Sequence, residues 1–299
     1  MTTRPDSTAA EDDSRFDYDV VVVGGGAAGL SASIFTARAG LATLVFAQGK
    51  SAIRQCAHLE NYLGFPGGLS PERFLELGRD QARLEGATIE EERVVTVDPL
   101  DTGFRVETAA DTSLRSRHVL VATAYDGEPF DAFEGDKIRE SEEGFVRTDE
   151  GRTGVDGLYA AGWVTAGAVH QAVVNAGDGA RAALALIRDE MSERYWPALG
   201  ERYVDWVVDE GRYGGDGWDQ HIDDWMQREL LPADVPDAVV DQAREDVAAE
   251  FLDRQITDTE KRRRQHDGQR RLLAHLDDEV IADYHAEHLA DGRAVGDAD

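Results

Sequence analysis

The chain has 299 residues and a formal net charge of −29, with 60 acidic side chains against 31 basic ones. Such a charge repels polyanions, which excludes nucleic acid and anionic membrane surfaces as expected partners. There is also no apolar run of about 18 residues, so the sequence predicts no membrane span.

The acidic residues are spread along the whole chain, and only three of the basic residues are lysines (Lys50, Lys137 and Lys261). We interpret this composition as halophilic, because salt screens the self-repulsion of a highly charged protein. An acidic surface that docks a basic partner is the alternative. A single cysteine, Cys56, and the lack of any CxxC pair in these residues favour a reducing, cytoplasmic location. Residues 1–15 lack the apolar core of a secretory signal and are predicted to form a disordered acidic leader.

Apolar runs and turn residues place the elements in chain order. Strands are predicted over residues 17–23, 41–47, 92–97, 103–108, 118–122 and 157–162, and helices over 30–39, 71–85, 171–187, 237–254 and 257–288. Ser70 is the expected N-cap of the second helix, with Pro71 at its first position. The pattern predicts an α/β fold: a Rossmann-type domain over residues 16–190, with a parallel sheet, helices and a small antiparallel sheet. An α-helical C-terminal region follows over residues 191–299.

The strongest motif is Gly24-Gly-Gly-Ala-Ala-Gly29, which follows a buried strand and opens a helix. In a dinucleotide-binding turn Gly24 permits the tight turn and Gly26 lets the backbone approach a pyrophosphate. Gly29 lets the helix pack against the strand. The acidic residue that usually ends the second strand and holds the ribose is replaced by Ala47, followed by Gln48. Gln48 can still form a hydrogen bond to a ribose hydroxyl, without charge assistance.

Three blocks carry a family resemblance. They are Gly24 to Leu30, Leu59-Glu-Asn-Tyr-Leu-Gly-Phe-Pro-Gly67, and Gly157-Leu-Tyr-Ala-Ala-Gly-Trp-Val-Thr165 running into His170-Gln-Ala-Val-Val-Asn-Ala-Gly-Asp-Gly-Ala180. Over roughly residues 17–190 the chain resembles the FAD domain of the low-molecular-weight thioredoxin reductases. The resemblance implies FAD as cofactor, an FAD-dependent oxidoreductase and a homodimer. It also implies that the helix near Gln171 directs its N-terminus at the flavin.

The motif and the resemblance together assign the cofactor contacts. These are Gly24, Gly26, Ala27, Ala28, Gly29, Gln48, Asn61, Gly162, His170, Gln171 and Ala172. No catalytic residue is assigned, and the candidates are Cys56, as a flavin adduct or mixed disulfide, and His170, as a charge beside the flavin. The alternatives are a small buried cysteine and a histidine packed against the sheet.

Three departures from the family matter. The family inserts an NAD(P)H-binding domain, with the redox CxxC, into the FAD domain, whereas here Thr123 is followed by a short bridge to Gly144. Trp163 also replaces an aspartate that contacts the flavin's ribityl chain in the family. We therefore expect an FAD-dependent oxidoreductase without a resident NAD(P)H domain or redox dithiol. Its electron donor is expected to be a partner such as a ferredoxin-like protein, a diffusing nicotinamide, or a small substrate oxidised with oxygen as acceptor.

Two other functions stay open. One is a non-catalytic flavin- or nucleotide-binding scaffold or sensor. The other is an FAD-dependent hydroxylase or reductase of an apolar substrate, whose pocket Trp206, Trp218 and Trp225 would cap. A basic segment, Lys261 to Arg271, is expected to pair internally with nearby acids (Asp258, Glu260, Asp277 and Asp278) or to dock an acidic partner. His285 and His288 are interpreted as a solvated helix face, and no metal is predicted.

Overall fold

The structure of the chain is a computed structural model. It describes residues 16–48, 51–124, 128–133, 138, 140–215, 217–226, 232 and 235–288. The predicted leader lies outside the described residues. The chain divides into two compact units, residues 1–205 and 206–299. The predicted boundary at residue 190 stays a prediction, and that position lies inside a helix that continues to Arg194.

One seven-stranded sheet organises the first unit. Its strands are β1 (Tyr18–Val23), β2 (Thr43–Phe46), β3 (Thr88–Glu90), β4 (Val94–Pro99), β5 (Phe104–Thr108), β6 (Ser113–Val121) and β7 (Leu158–Ala160). The strands β3, β2, β1, β6 and β7 run parallel in that order. The first half of β6 instead pairs antiparallel with β5, which pairs antiparallel with β4. The sheet is therefore parallel with an antiparallel extension, as the sequence predicted.

Strand β1 shows why an unbroken valine run forms a central strand. Val20 and Val22 face a layer that contains Ala28, whereas Val21 and Val23 face the opposite core. All four valines are at most 5% exposed. Because successive side chains of a strand alternate between faces, burial on both sides requires apolar residues at every position.

The described residues of this unit form four helices: α1 (Ala27–Arg38), α2 (Pro71–Leu84), α3 (Ala172–Arg194) and α4 (Pro197–Gly200). The predicted N-cap of α2 is confirmed, since the Ser70 hydroxyl accepts a hydrogen bond from the Arg73 N–H at 3.1 Å. Helices α1 and α3 pack closely through small residues. A Cβ added to Gly179 would lie 2.0 Å from the Ala28 carbonyl oxygen, so only glycine permits this approach.

The second unit is mainly helical, which confirms the predicted character of the C-terminal region. It contains α5 (Trp218–Trp225), α6 (Asp237–Asp253), α7 (Asp258–Leu273), α8 (Asp278–His288) and the two-residue strands β8 (Val208–Asp209) and β9 (Gln255–Ile256). Ile222 and Met226 are buried in this unit, as are Ala243 and Val247 of α6. The segment predicted as helical up to His288 breaks after Leu273 into two helices.

Part of the basic segment of α7 pairs internally, as the sequence favoured. Glu260 accepts hydrogen bonds from Arg263 and Arg264, both at 2.7 Å, and Lys261 contacts Asp209 at 2.7 Å. The hydrogen bonds from Arg263 and Arg264 lower the pKa of Glu260 to about 2. These pairs stabilise the first turns of α7, where acidic residues also favour the helix dipole.

Candidate functional site

A cleft of about 990 Å³ opens at the carboxyl ends of the parallel strands. Val23 at the end of β1, Phe46 at the end of β2 and Ala122 just after β6 line it. Strands β1 and β6 are neighbours; the connection after β1 leads to β2 on one side, and the connection after β6 leads to β7 on the other. Such a switch point at the carboxyl edge is where open α/β sheets bind ligands.

The glycine turn shapes one end of the cleft. Gly24 has a φ of +120°, and a Cβ there would lie 2.5 Å from the Ala122 carbonyl oxygen. A Cβ on Gly29 would lie 1.7 Å from the Gly24 carbonyl oxygen, which fixes how closely the start of α1 packs on the turn. Gly26 itself lines the cleft. Gly26 therefore lines the cleft, whereas Gly24 and Gly29 shape the turn without lining the cleft themselves.

Helix α1 presents an uncapped N-terminus to this cleft. Its N-cap is Gly26, no side chain caps it, and its first turn carries no acidic residue. Ala27 and Ala28 also line the cleft. The free N–H groups and the positive end of the helix dipole fit an anionic pyrophosphate.

Helix α3 presents a second uncapped N-terminus to the same cleft, with Gln171 as its N-cap. The Asn61 side chain donates a hydrogen bond to the Gln171 side-chain oxygen at 2.6 Å, which joins the Leu59–Gly67 block to the start of α3. Gly162 has a φ of +73°, and a Cβ on it would lie 2.9 Å from the Ala28 Cβ. The residues predicted from three separate blocks thus meet around one cavity.

Asn175 is a residue that the sequence analysis did not assign. Its side-chain nitrogen donates to the Gln171 carbonyl at 2.8 Å and to the Val169 carbonyl at 3.0 Å. Its side-chain oxygen is buried and has no hydrogen-bond partner among the described residues. Asn175 therefore fixes the start of α3 and leaves an acceptor at the cleft wall. The only signal was its place four residues after Gln171, in the block from His170 to Ala180.

Trp163 and His170 form a close, tilted ring pair in the cleft wall. Their ring centroids are 4.0 Å apart with an interplanar angle of 33°. His170 is exposed, and it packs on Trp163 rather than against the sheet. The sequence analysis named both residues but did not pair them.

Cys56 is exposed in the described structure and also lines the cleft, so it is not a buried core residue. His58 lies on the same wall, where its Nε2 is 3.1 Å from the Gly67 carbonyl oxygen. Gln48 lines the cleft next to the buried Ala47, as the ribose assignment requires. Polar lining residues that the sequence analysis did not assign include Ser51, Arg79, Arg93 and Thr123.

Two polar clusters hold the far half of α3. Arg152 donates to both carboxylate oxygens of Asp189, and the Tyr159 hydroxyl donates to Asp189 at 2.8 Å. Burial raises the pKa of Tyr159, and the hydrogen bond to Asp189 raises it further. On the next residue, the Glu190 carboxylate contacts His118 and lies 3.2 Å from Arg117.

These contacts set the charge state of Glu190. Burial alone would raise the pKa of Glu190, but the contacts with His118 and Arg117 outweigh it and lower the pKa. The carboxylate is therefore held in its charged form, and α3 is fixed to the sheet behind the cleft.

Two absences complete the description of the residues that the structure covers. None of the helices there is long and apolar enough to cross a membrane. No cluster of three or more His, Cys, Asp or Glu side chains in these ranges could hold a metal ion.

The sequence of this chain is similar to that of known oxidoreductases. Residues 18–132 match the family model described as pyridine nucleotide-disulphide oxidoreductase. Thioredoxin reductase of Aquifex aeolicus is 37% identical over 108 residues, which are 36% of this chain and 33% of that protein. Thioredoxin reductase of Treponema pallidum is 39% identical over 110 residues, 36% and 35% of the two chains. The chain thus spans about a third of the length of the curated relatives it matches.

Solved structures agree on the fold. A thioredoxin reductase from Gloeobacter violaceus has a TM-score of 0.55 at 21% identity, covering 64% of this chain and 99% of that chain. Thioredoxin reductase from T. acidophilum has a TM-score of 0.52 at 20% identity, covering 60% and 100%. Members of the matched family bind FAD, which is the cofactor expected from the sequence. Residues 18–132 thus resemble the pyridine nucleotide-disulphide oxidoreductase family, and in particular its thioredoxin reductases.

Proposed function

We propose that this chain is an FAD-dependent oxidoreductase that receives its electrons from outside the chain. The observation that carries the proposal is the convergence of two uncapped helix N-termini, those of α1 and α3, on one cleft. A dinucleotide with a central pyrophosphate and an electron-accepting ring at one end matches this arrangement. The family match supports an oxidoreductase but not the open alternatives of a scaffold or a hydroxylase.

Each wall of the cleft has a distinct task in this proposal. The backbone from Gly26 to Ala28 binds the pyrophosphate, and Gln48 binds the adenosine ribose. Asn61 and Gln171 hold the opposite end, where the dipole of α3 stabilises negative charge. When bound, FAD supplies the redox chemistry, and the protein supplies position and electrostatics. Trp163 and His170 form an aromatic wall in place of the family's aspartate.

The length of the connection between β6 and β7 supports an electron donor outside the chain. Residues 122–157 join these strands, and these 36 residues are fewer than the roughly 100 of an ordinary domain. The segment contains no second glycine-rich turn, and these 299 residues contain no CxxC pair. A protein donor, such as a ferredoxin-like protein, or a diffusing nicotinamide would then replace the resident domain of the family.

A titration with FAD in high salt tests the cofactor site. We expect saturable binding and the quenching of flavin fluorescence by the nearby Trp163. Gly26→Val should weaken binding at least tenfold, because its side chain fills the place left for the pyrophosphate. Gly177→Ala is the matched control: it lies in α3, and a Cβ there meets nothing within 4 Å. Equal FAD affinity of the Gly26→Val variant and the wild type would refute the assigned site.

A further inference from the structure

Helices α7 and α8 lack the contacts that normally stabilise helices. Every residue from Lys261 to Ala274 is exposed, and no residue of α8 is buried. Helices of this length are marginal in water, and most of their stability in proteins comes from packing an apolar face. Two successive helices without a buried residue therefore indicate a surface that another molecule covers.

The apolar side chains needed for such packing are present around the turn between the two helices. Leu272, Leu273, Leu276, Val280 and Tyr284 are exposed by 54, 49, 50, 56 and 50%. They lie within 13 residues of one another, from the last turn of α7 to the second turn of α8. Scattered single apolar residues need no explanation, whereas a contiguous exposed set marks an interaction surface.

The two helices carry opposite charge. Helix α7 has six basic and three acidic side chains, a net charge of +3, in a chain whose net charge is −29. Helix α8 has four acidic side chains and no Lys or Arg, a net charge of −4 without its histidines. Arg262 and Arg270, two turns apart on α7, form no ion pair with any carboxylate in the described part of the chain.

We propose that this helical pair is an interface between two copies of the chain. A pair with one basic and one acidic helix is complementary to itself under two-fold symmetry: α7 of each copy faces α8 of the other. The leucines at the turn then pack against each other, while Arg262 and Arg270 face acids such as Asp283 and Glu287. The strong negative charge elsewhere in the chain makes α7 the favourable approach for a second copy. This interface does not depend on the cofactor site.

The first experiment measures the mass of the full chain in solution by light scattering, at ~0.15 M and ~1 M salt, where the screening lengths are about 8 and 3 Å. We expect twice the monomer mass of 32.7 kDa. Leu272→Glu should return the protein to the monomer mass. Leu84→Glu is the matched control, because Leu84 on α2 is also 54% exposed, and this variant should remain dimeric. A wild-type monomer at both salt concentrations would overturn the proposal.

Charge exchange tests the pairing of α7 with α8. One variant carries Arg262→Glu and Arg270→Glu, and a second carries Asp283→Arg and Glu287→Arg. Each variant alone places like charges against each other and should be monomeric at ~0.15 M salt, whereas an equimolar mixture should form heterodimers. Circular dichroism of each variant checks that the helices persist.

Two results would contradict this arrangement. If every variant stays dimeric, the chains associate through another surface. If the variants are monomeric but their mixture is too, α7 does not face α8 of the second copy, and a different acidic partner would cover the helix.

Discussion

Helices α3 and α7 show two different ways in which this chain makes a helix. Helix α3 buries eight residues, most of them small, between the sheet and α1, and two polar clusters fix its far half. Helix α7 buries none, and ion pairs to Glu260 and Asp209 hold its first turns. The comparison teaches that α3 is a packed part of the site, whereas α7 has no buried residue of its own and, in our proposal, packs against a second copy.

The largest expected effect is that of a single methyl group in α3. Gly179→Ala places a Cβ 2.0 Å from the Ala28 carbonyl oxygen, so α1 and α3 must move apart. We expect the free energy of unfolding to fall by about 1–3 kcal/mol or more, as for other overpacked cores. Urea denaturation measures it. A variant as stable as the wild type would show that the two helices do not need this close approach.

Removing the charge of Asp189 should have the next largest effect. Asp189→Asn weakens the contacts with Arg152 and Tyr159 and leaves a partly buried guanidinium without its nearest carboxylate. The expected loss is about 1–3 kcal/mol in the free energy of unfolding, again from urea denaturation. Asp178→Asn on the same helix should be harmless, because burial raises the pKa of Asp178 and disfavours its charge. Equal effects of the two variants would contradict the anchoring role.

The Glu190 cluster predicts a pH dependence with a definite sign. Because the folded-state pKa of Glu190 is lowered, its carboxylate stabilises the fold above the unfolded-state pKa of about 4.3. This contribution is lost as pH falls through the folded-state pKa. The stability difference between wild type and Glu190→Gln should therefore be largest near neutral pH and shrink toward pH ~3. A difference that is constant with pH would contradict the ionised contact.

Removing the N-cap of α2 or of α7 should have different effects on the free energy of unfolding, of at most about 1 kcal/mol. Ser70→Ala removes the hydroxyl that accepts from Arg73, and α2 packs on the core, so global stability should fall by ~1 kcal/mol. Thr257 caps α7 in the same way, with its hydroxyl 3.1 Å from the Glu260 nitrogen. Thr257→Ala should lower helix content in circular dichroism without shifting the main unfolding transition. A shift as large as that of Ser70→Ala would mean that α7 is part of the cooperative core.

The smallest effect is expected in the middle of α7. A Cβ added to Gly268 meets nothing within 4 Å, so Gly268→Ala gains helix propensity without a clash. We expect a local gain of up to ~1 kcal/mol, seen as higher helix content. A loss of stability would instead mean that another part of the molecule packs closely on this glycine.

Most of the sheet and the glycine turn were predictable from the sequence, because they depend on local rules. The valine run of β1, the Ser70 cap and Gly24 each follow from the geometry of one element. The short strand β3 was missed, since three residues carry no clear alternation. The break after Leu273 was also missed.

The cleft was predicted in its residues but not in its contacts. Asn61, Gly162 and Gln171 were assigned from separate motifs, and the fold brings them together. Two contacts depend on how the start of α3 packs against the 3-10 turn at residues 162–164. They are the ring contact between Trp163 and His170 and the hydrogen bonds from Asn175. Such contacts between distant segments leave no periodic signal in a single sequence. The sequence also did not predict that α7 is exposed along its length, because its charge pattern is compatible with a packed helix as well.

The most direct test of the account is an absorbance spectrum of the purified chain in high salt, taken before and after anaerobic addition of NADPH and then of dithionite. The account predicts flavin bands near ~450 nm that dithionite bleaches, whichever donor the chain uses. Bleaching by NADPH alone would leave a diffusing nicotinamide as the donor and exclude the need for a protein donor. A protein that stays colourless after addition of FAD would contradict the central claim that this cleft holds a flavin.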